Sequence, residues 1–135
     1  MKTWFVDSNV LLRFFTTDDA GQNERATALL KSAAEGHHRL ICGPPVLFEV
    51  AWTLRATYRV PRDRVLAALQ MLFALPGLEF ADASIVGPAL ASSSLAGVEF
   101  ADAYIAASAR VKGCDGIATF NLKDFSRLGL PTVRF

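Results

Sequence analysis

The side chains best suited to chemistry are carboxylates and one amide, spread over four separate stretches. Asp7 follows the apolar run Thr3-Trp4-Phe5-Val6, and Glu49 lies between Phe48 and Val50. Asp102 sits in Phe100-Ala101-Asp102-Ala103-Tyr104-Ile105, and Asn121 and Asp124 follow Gly116-Ile117-Ala118-Thr119. Few lysines or arginines neighbour them in sequence, so converging carboxylates would raise one another's pKa, a conflict that a divalent cation removes. Oxygen-only donors select hard ions such as Mg²⁺ or Mn²⁺, and Mg²⁺ keeps waters that can be activated for attack on phosphate. Asp102, flanked by alanines, is expected to be partly buried, which is costly unless a cation or donors compensate.

These residues need elements to position them. Thr3–Val6, Arg39–Cys42, Leu78–Phe80, Gly116–Thr119 and Pro131–Phe135 read as short strands. Between them, apolar residues recur at helical spacing over Val10–Phe15, Gln22–Ala34, Val46–Thr57 and Arg62–Phe73. Gly87-Pro88 interrupts the next helical pattern, so a regular helix is expected to begin near Pro88, and Phe100–Val111 forms an alanine-rich one. Alternating strands and helices imply a parallel sheet with crossover connections, whose ligand site lies beyond the carboxyl ends of the strands. Asp7, Asn121 and Asp124 stand at such ends. With 135 residues and no linker, the expectation is one domain over residues 1–135.

Composition excludes several classes. The chain is 52% hydrophobic and 20% charged, too apolar for disorder. No apolar run approaches the ~20 residues of a membrane span, and Asp7 comes too early for a signal peptide, which leads us to expect a cytoplasmic protein with no membrane role. A net charge of +1 gives no whole-chain signature of nucleic-acid binding, so such contacts must be local. Arg55, Arg59, Arg62 and Arg64 with Tyr58 read either as a phosphate-contacting strip or as a solvated helix face. Cys42 and Cys114 read as reduced thiols, and His37-His38 as surface residues. Trp52, Tyr58 and Phe14-Phe15 read as core aromatics rather than base-stacking platforms. There is no glycine-rich phosphate loop, GxSxG, HExxH or cysteine quartet.

Structural readings stand beside the chemical ones. Asp7 suits a helix N-cap, and Asn9 a cap or an orienter of Asp7. Glu49 and Asp102 each suit a buried carboxylate paired with an arginine. Ser8 and Thr119 can donate or accept in the same pocket. The pentapeptide Glu-Phe-Ala-Asp-Ala occurs twice, at 79–83 and 99–103. Asp82 of the first copy, ahead of Gly87-Pro88, suits a solvated turn or cap, whereas Asp102 leads into an unbroken run of small residues that can hold a ligand rigidly.

Val6-Asp7-Ser8-Asn9-Val10-Leu11-Leu12-Arg13, Pro45-Val46-Leu47-Phe48-Glu49-Val50 with Leu54-Arg55, Phe100 to Ala107, and Thr119-Phe120-Asn121-Leu122-Lys123-Asp124-Phe125 resemble, in order and spacing, the PIN-domain ribonucleases. Within them the chain is most similar to VapC-type toxins of toxin-antitoxin pairs. The resemblance implies a three-layer α/β/α sandwich with a central parallel sheet. It also implies an acidic pocket holding Mg²⁺ or Mn²⁺ for hydrolysis of RNA phosphodiesters by a metal-activated water. Asp7, Glu49 and Asp102 match the acidic triad, and Glu99 a position where the family often has aspartate. Asn121 stands where many members have a fourth aspartate, a departure that leaves Asn121 or Asp124 to fill the place. The implied partners are RNA, a cognate antitoxin and a second copy of the chain. Two other readings stay open: a nuclease of the same fold acting in RNA processing or DNA flap cleavage without an antitoxin, and a phosphate-binding regulatory module, for which Asp7-Ser8 and Cys42-Gly43 supply no receiver-like acid pair.

Overall fold

The computed structural model describes residues 1–135, which divide into two compact units, Met1–Asp82 and Ala83–Phe135. The first holds three short strands, β1 (Thr3–Phe5), β2 (Arg39–Cys42) and β3 (Leu78–Phe80), all parallel and in the order β1-β2-β3. Trp4 pairs with Leu40, and Ile41 with Glu79. Parallel neighbours require crossovers. Helices α1 (Ser8–Phe15) and α2 (Ala20–Ala34) make the first, and α3 (Pro44–Ala56) and α4 (Arg62–Ala74) the second.

Local sequence sets these boundaries. Asp7 caps α1, and Asp19 caps α2 by accepting from the Gln22 amide at 3.0 Å. Pro44 and Pro45 occupy the first turn of α3, where a missing amide proton leaves no bond unmade. The chain enters β3 through Gly77 at φ 84°, where a Cβ would collide with the Ala33 carbonyl of α2, so only glycine allows this close approach. Leu11, Leu40, Leu47, Val50, Leu69 and Leu72 are fully buried, each stabilising the fold by roughly 1.5–3 kcal/mol. The expected α/β architecture with a parallel sheet is therefore present, with α2 against β2 and β3 and α4 against β3. Of the aromatics read as core, Trp52 is instead 68% exposed on α3, and Tyr58 reaches a surface partner, donating to Asp18 at 2.9 Å.

The second unit is helical: α5 (Ala83–Ala96), α6 (Phe100–Val111) and α7 (Leu122–Arg127). α5 departs from expectation by running unbroken through Pro88. Gly87 eases this, because it has no Cβ to clash with the proline ring, and close packing of α5 on α6 through buried Ala89, Ser93, Ala103 and Ala106 holds the helix together. The Ser93 hydroxyl donates to the Val98 carbonyl at 2.6 Å, so its burial leaves no donor unmet. A second difference lies in Gly116–Thr119 and Pro131–Phe135, which form one parallel bridge, Ile117 to Thr132, rather than strands. Ile117 alone is buried in the first segment, and the second is exposed throughout, so neither has the apolar face that drives a longer ladder. No helix is long and apolar enough to cross a membrane.

Candidate active site

In the first unit Asp7 stands at the carboxyl edge of the sheet, and Glu49 lies on the helix that follows β2. The Val6 amide donates to the Ile41 carbonyl at 2.8 Å, carrying pairing one residue past β1 and delivering Asp7 at the strand end. Its carboxylate accepts from the Ser8 amide at 2.7 Å and from the Ser8 hydroxyl at 3.4 Å, while Ser8 itself is buried. Asp7 therefore does cap α1, but exposure and the free lone pairs of a carboxylate leave it able to take a second partner. Asn9 makes no hydrogen bond to Asp7; it lines a groove of about 360 Å³ between α1 and α2 with Arg13, Gln22 and Arg25. Glu49 is exposed on α3, a helix that starts from the same sheet edge and packs against α1. It forms no ion pair with an arginine, so the structural reading given to it in the sequence does not apply.

The second unit carries an acidic cluster. Asp102 lies in the first turn of α6, half-buried as its alanine neighbours led us to expect. Burial, then the Asp124 carboxylate, then that of Glu99 hold its carboxyl above the usual range. No arginine pairs with it. Glu99 occupies the N-cap position of α6. Asn121 caps α7: its side-chain carbonyl accepts from the Asp124 amide at 3.4 Å, and its Nδ2 donates to Asp124 Oδ2 at 3.0 Å. The backbone amide of Asn121 donates to Thr119 Oγ1 at 2.9 Å, so Thr119 supports this turn. The structure thus draws Asp124 toward Asp102 and gives Asn121 the task of holding Asp124.

In neither unit do three histidine, cysteine or acidic side chains close on one point as a ready-made metal cage. Mg²⁺ does not need one, since it is bound through one or two carboxylates and keeps waters in its other positions. The donors are all oxygen, and Asp102 has two further carboxylates, Asp124 and Glu99, near enough to act on its charge, so the residues fit a hard divalent cation.

The PIN domain model matches residues 4–130. This chain belongs to the PIN domain family. PIN domains are generally metal-dependent nucleases and typically use divalent metals such as Mg²⁺, which makes the chain a nuclease and hydrolase at that level of description. No curated protein matches it.

Within this PIN domain the two Glu-Phe-Ala-Asp-Ala copies fold differently. In the first, Glu79 lies in β3 and forms a two-pronged ion pair with Arg39, at 2.7 and 3.1 Å, and Asp82 ends in a turn. Asp82 is less solvated than a plain surface turn, with one carboxylate oxygen shielded from solvent. Burial, assisted by the Asp82 charge, pushes the Cys42 thiol up to about 12, which keeps it protonated and inert. In the second copy, Glu99 precedes α6 and Asp102 opens it. The sequence does not single out Phe120, next to Asn121, and Phe135, two exposed rings in contact; an aromatic residue directly after an extended run and before a polar cap is the signal that marks Phe120.

Proposed function

We propose that this PIN domain is an endoribonuclease that hydrolyses RNA phosphodiester bonds with Mg²⁺ or Mn²⁺, and that it is the toxin of a toxin-antitoxin pair. The observation that carries the nuclease reading is the match of residues 4–130 to the PIN domain, joined by the half-buried Asp102 carboxyl, which stands near Asp124 and Glu99 and pairs with no arginine. Asp7, Glu49 and Asp102 are the residues we assign as ion ligands, within a single nuclease domain over residues 1–135. When bound, the ion supplies an activated water and offsets charge at the phosphate. Asp124 and Glu99 keep the field around Asp102 negative, which favours a cation there. Asn121 fixes Asp124 by two hydrogen bonds, and Ser8 fixes Asp7. Asn9 has a supporting part at the mouth of the groove beside α1.

The same carboxylates would serve a PIN nuclease of RNA processing or DNA flap cleavage, so the test must separate the two. Brief induction in cells, with sequencing of RNA ends, should reveal new 5′ ends and growth arrest that Asp102→Asn abolishes. Co-expression of a cognate antitoxin should relieve the arrest. Cleavage without arrest would assign the chain to processing, and RNA ends identical to those of the Asp102→Asn control would remove the ribonuclease reading. The remaining parts of the proposal are a cytoplasmic homodimer and an antitoxin partner.

A further inference from the structure

Phe120 and Phe135 stand just past one parallel bridge. The parallel bridge joins Ile117 to Thr132, the Ile117 amide donating to Pro131 at 2.8 Å and the Val133 amide to Ile117 at 2.9 Å. Three residues beyond each bridge partner stands a phenylalanine, past the end of the pairing. The rings meet with centroids 5.0 Å apart at 48°, and each remains open to water: Phe120 is 90% exposed and Phe135 75%. Folding gains little from rings left in solvent, so their arrangement contributes little to stability.

Their surroundings have a definite chemistry. The pair lines a cleft of about 330 Å³ together with Thr119, Thr132 and Arg134. Two aromatic rings with hydroxyl-bearing and cationic neighbours suit a nucleotide, whose base offers a flat face and whose phosphate is anionic. Phe120 immediately precedes Asn121, whose side chain holds Asp124 within the acidic cluster of the same unit.

We propose that Phe120 and Phe135 form a stacking platform for an unpaired base of the RNA substrate, with Arg134 and the threonine hydroxyls contacting its sugar and phosphate. The inference rests on the ribonuclease reading and deepens it, assigning base contact to two residues outside the acidic cluster. Because every base has a stacking face, the platform favours unpaired over paired RNA more than it favours one base.

The test uses the full chain in chelator, where RNA is bound but not cut. Fluorescence anisotropy should show a labelled single-stranded ten-nucleotide RNA binding more tightly than an abasic oligomer of equal length. Phe120→Ala should weaken binding of the base-bearing RNA by about 5- to 150-fold, the range for loss of one base–aromatic stack, and leave the abasic oligomer unaffected. Phe120→Trp should restore affinity. Since the ring is exposed, circular dichroism and the thermal midpoint should not change. Equal affinity of wild type and Phe120→Ala for RNA would overturn the platform, and would assign the face to a protein if Phe120→Ala also lost self-association. Equal binding of abasic and base-bearing oligomers would overturn it too. Cleavage with Mn²⁺ separates this from the parent reading: a wild type that cuts RNA while Phe120→Ala binds normally loses the platform and keeps the nuclease, and one that stacks RNA without cutting it does the reverse.

Discussion

Asn121 grips Asp124 at both ends of one turn, its Nδ2 donating to Oδ2 at 3.0 Å and its carbonyl accepting from the Asp124 amide. The amide thus orients a carboxylate whose charge acts on Asp102, while adding no charge of its own. Asn121→Ala should cost about 1 kcal/mol of stability through loss of the cap. Asn121→Asp should keep the cap but set two carboxylates about 3 Å apart, where they repel. Its thermal midpoint in chelator should fall below wild type, and added Mn²⁺ should recover more of it. A variant indifferent to Mn²⁺ would count against an ion near Asn121 and Asp124.

The Asp102 shift sets a pH signature. A carboxyl whose folded pKa lies above its unfolded one contributes stability that is present below the unfolded pKa and lost as pH rises through the folded pKa. Asp102→Asn removes that loss, so in chelator at pH 7 the variant should melt higher than wild type. The two should converge near pH 3, below the ordinary carboxylate value of about 3.9. Melting curves in chelator across pH check this, and a variant less stable than wild type at neutral pH would contradict it.

The repeated pentapeptide gives a sharp comparison. Asp82→Asn should retain near-wild-type cleavage, since Asp82 sits in a turn beside Cys42, whereas Asp102→Asn should lose at least 100-fold or so, the order expected when a preorganised electrostatic contact is removed. A folded but inactive Asp82→Asn chain, checked by circular dichroism, would reverse the assignment.

Much of this was legible in the sequence, and the failures have physical causes. Asp7 as strand end and cap, α6 over Phe100–Val111 and the half-burial of Asp102 all follow from local signals, because short polar caps and alanine runs act within a few residues. Pro88 misled because a proline penalty is local, whereas the packing of α5 on α6 that outweighs it is not. The segments around Ile117 and Thr132 have strand-forming residues but lack the apolar face that would extend their single bridge. Arginine pairing of Glu49 and Asp102 could be judged only once the fold had placed the arginines. The contact of Phe120 with Phe135 joins segments fifteen residues apart in sequence, which no local pattern encodes.

Two stabilising features of the first unit should differ in weight. Gly77→Ala places a Cβ into the Ala33 carbonyl at a positive φ, so it should destabilise by about 2 kcal/mol or more in chemical denaturation. Arg39→Ala breaks an exposed ion pair with Glu79 and should cost less than Gly77→Ala, by an amount that shrinks with salt. A reversed ranking would mean that the close approach of β3's entry turn to α2 is not a tight constraint.

The central claim is that Asp7, Glu49 and Asp102 act through a divalent cation on RNA, and the most direct measurement is cleavage of a single-stranded RNA by the purified chain against Mn²⁺ concentration. The account predicts no cleavage in chelator, saturable activity with added Mn²⁺, and loss of that activity in each of Asp7→Asn, Glu49→Gln and Asp102→Asn with the fold intact. Cleavage that persists in chelator, or full activity in any one of the three variants at limiting Mn²⁺, would contradict it.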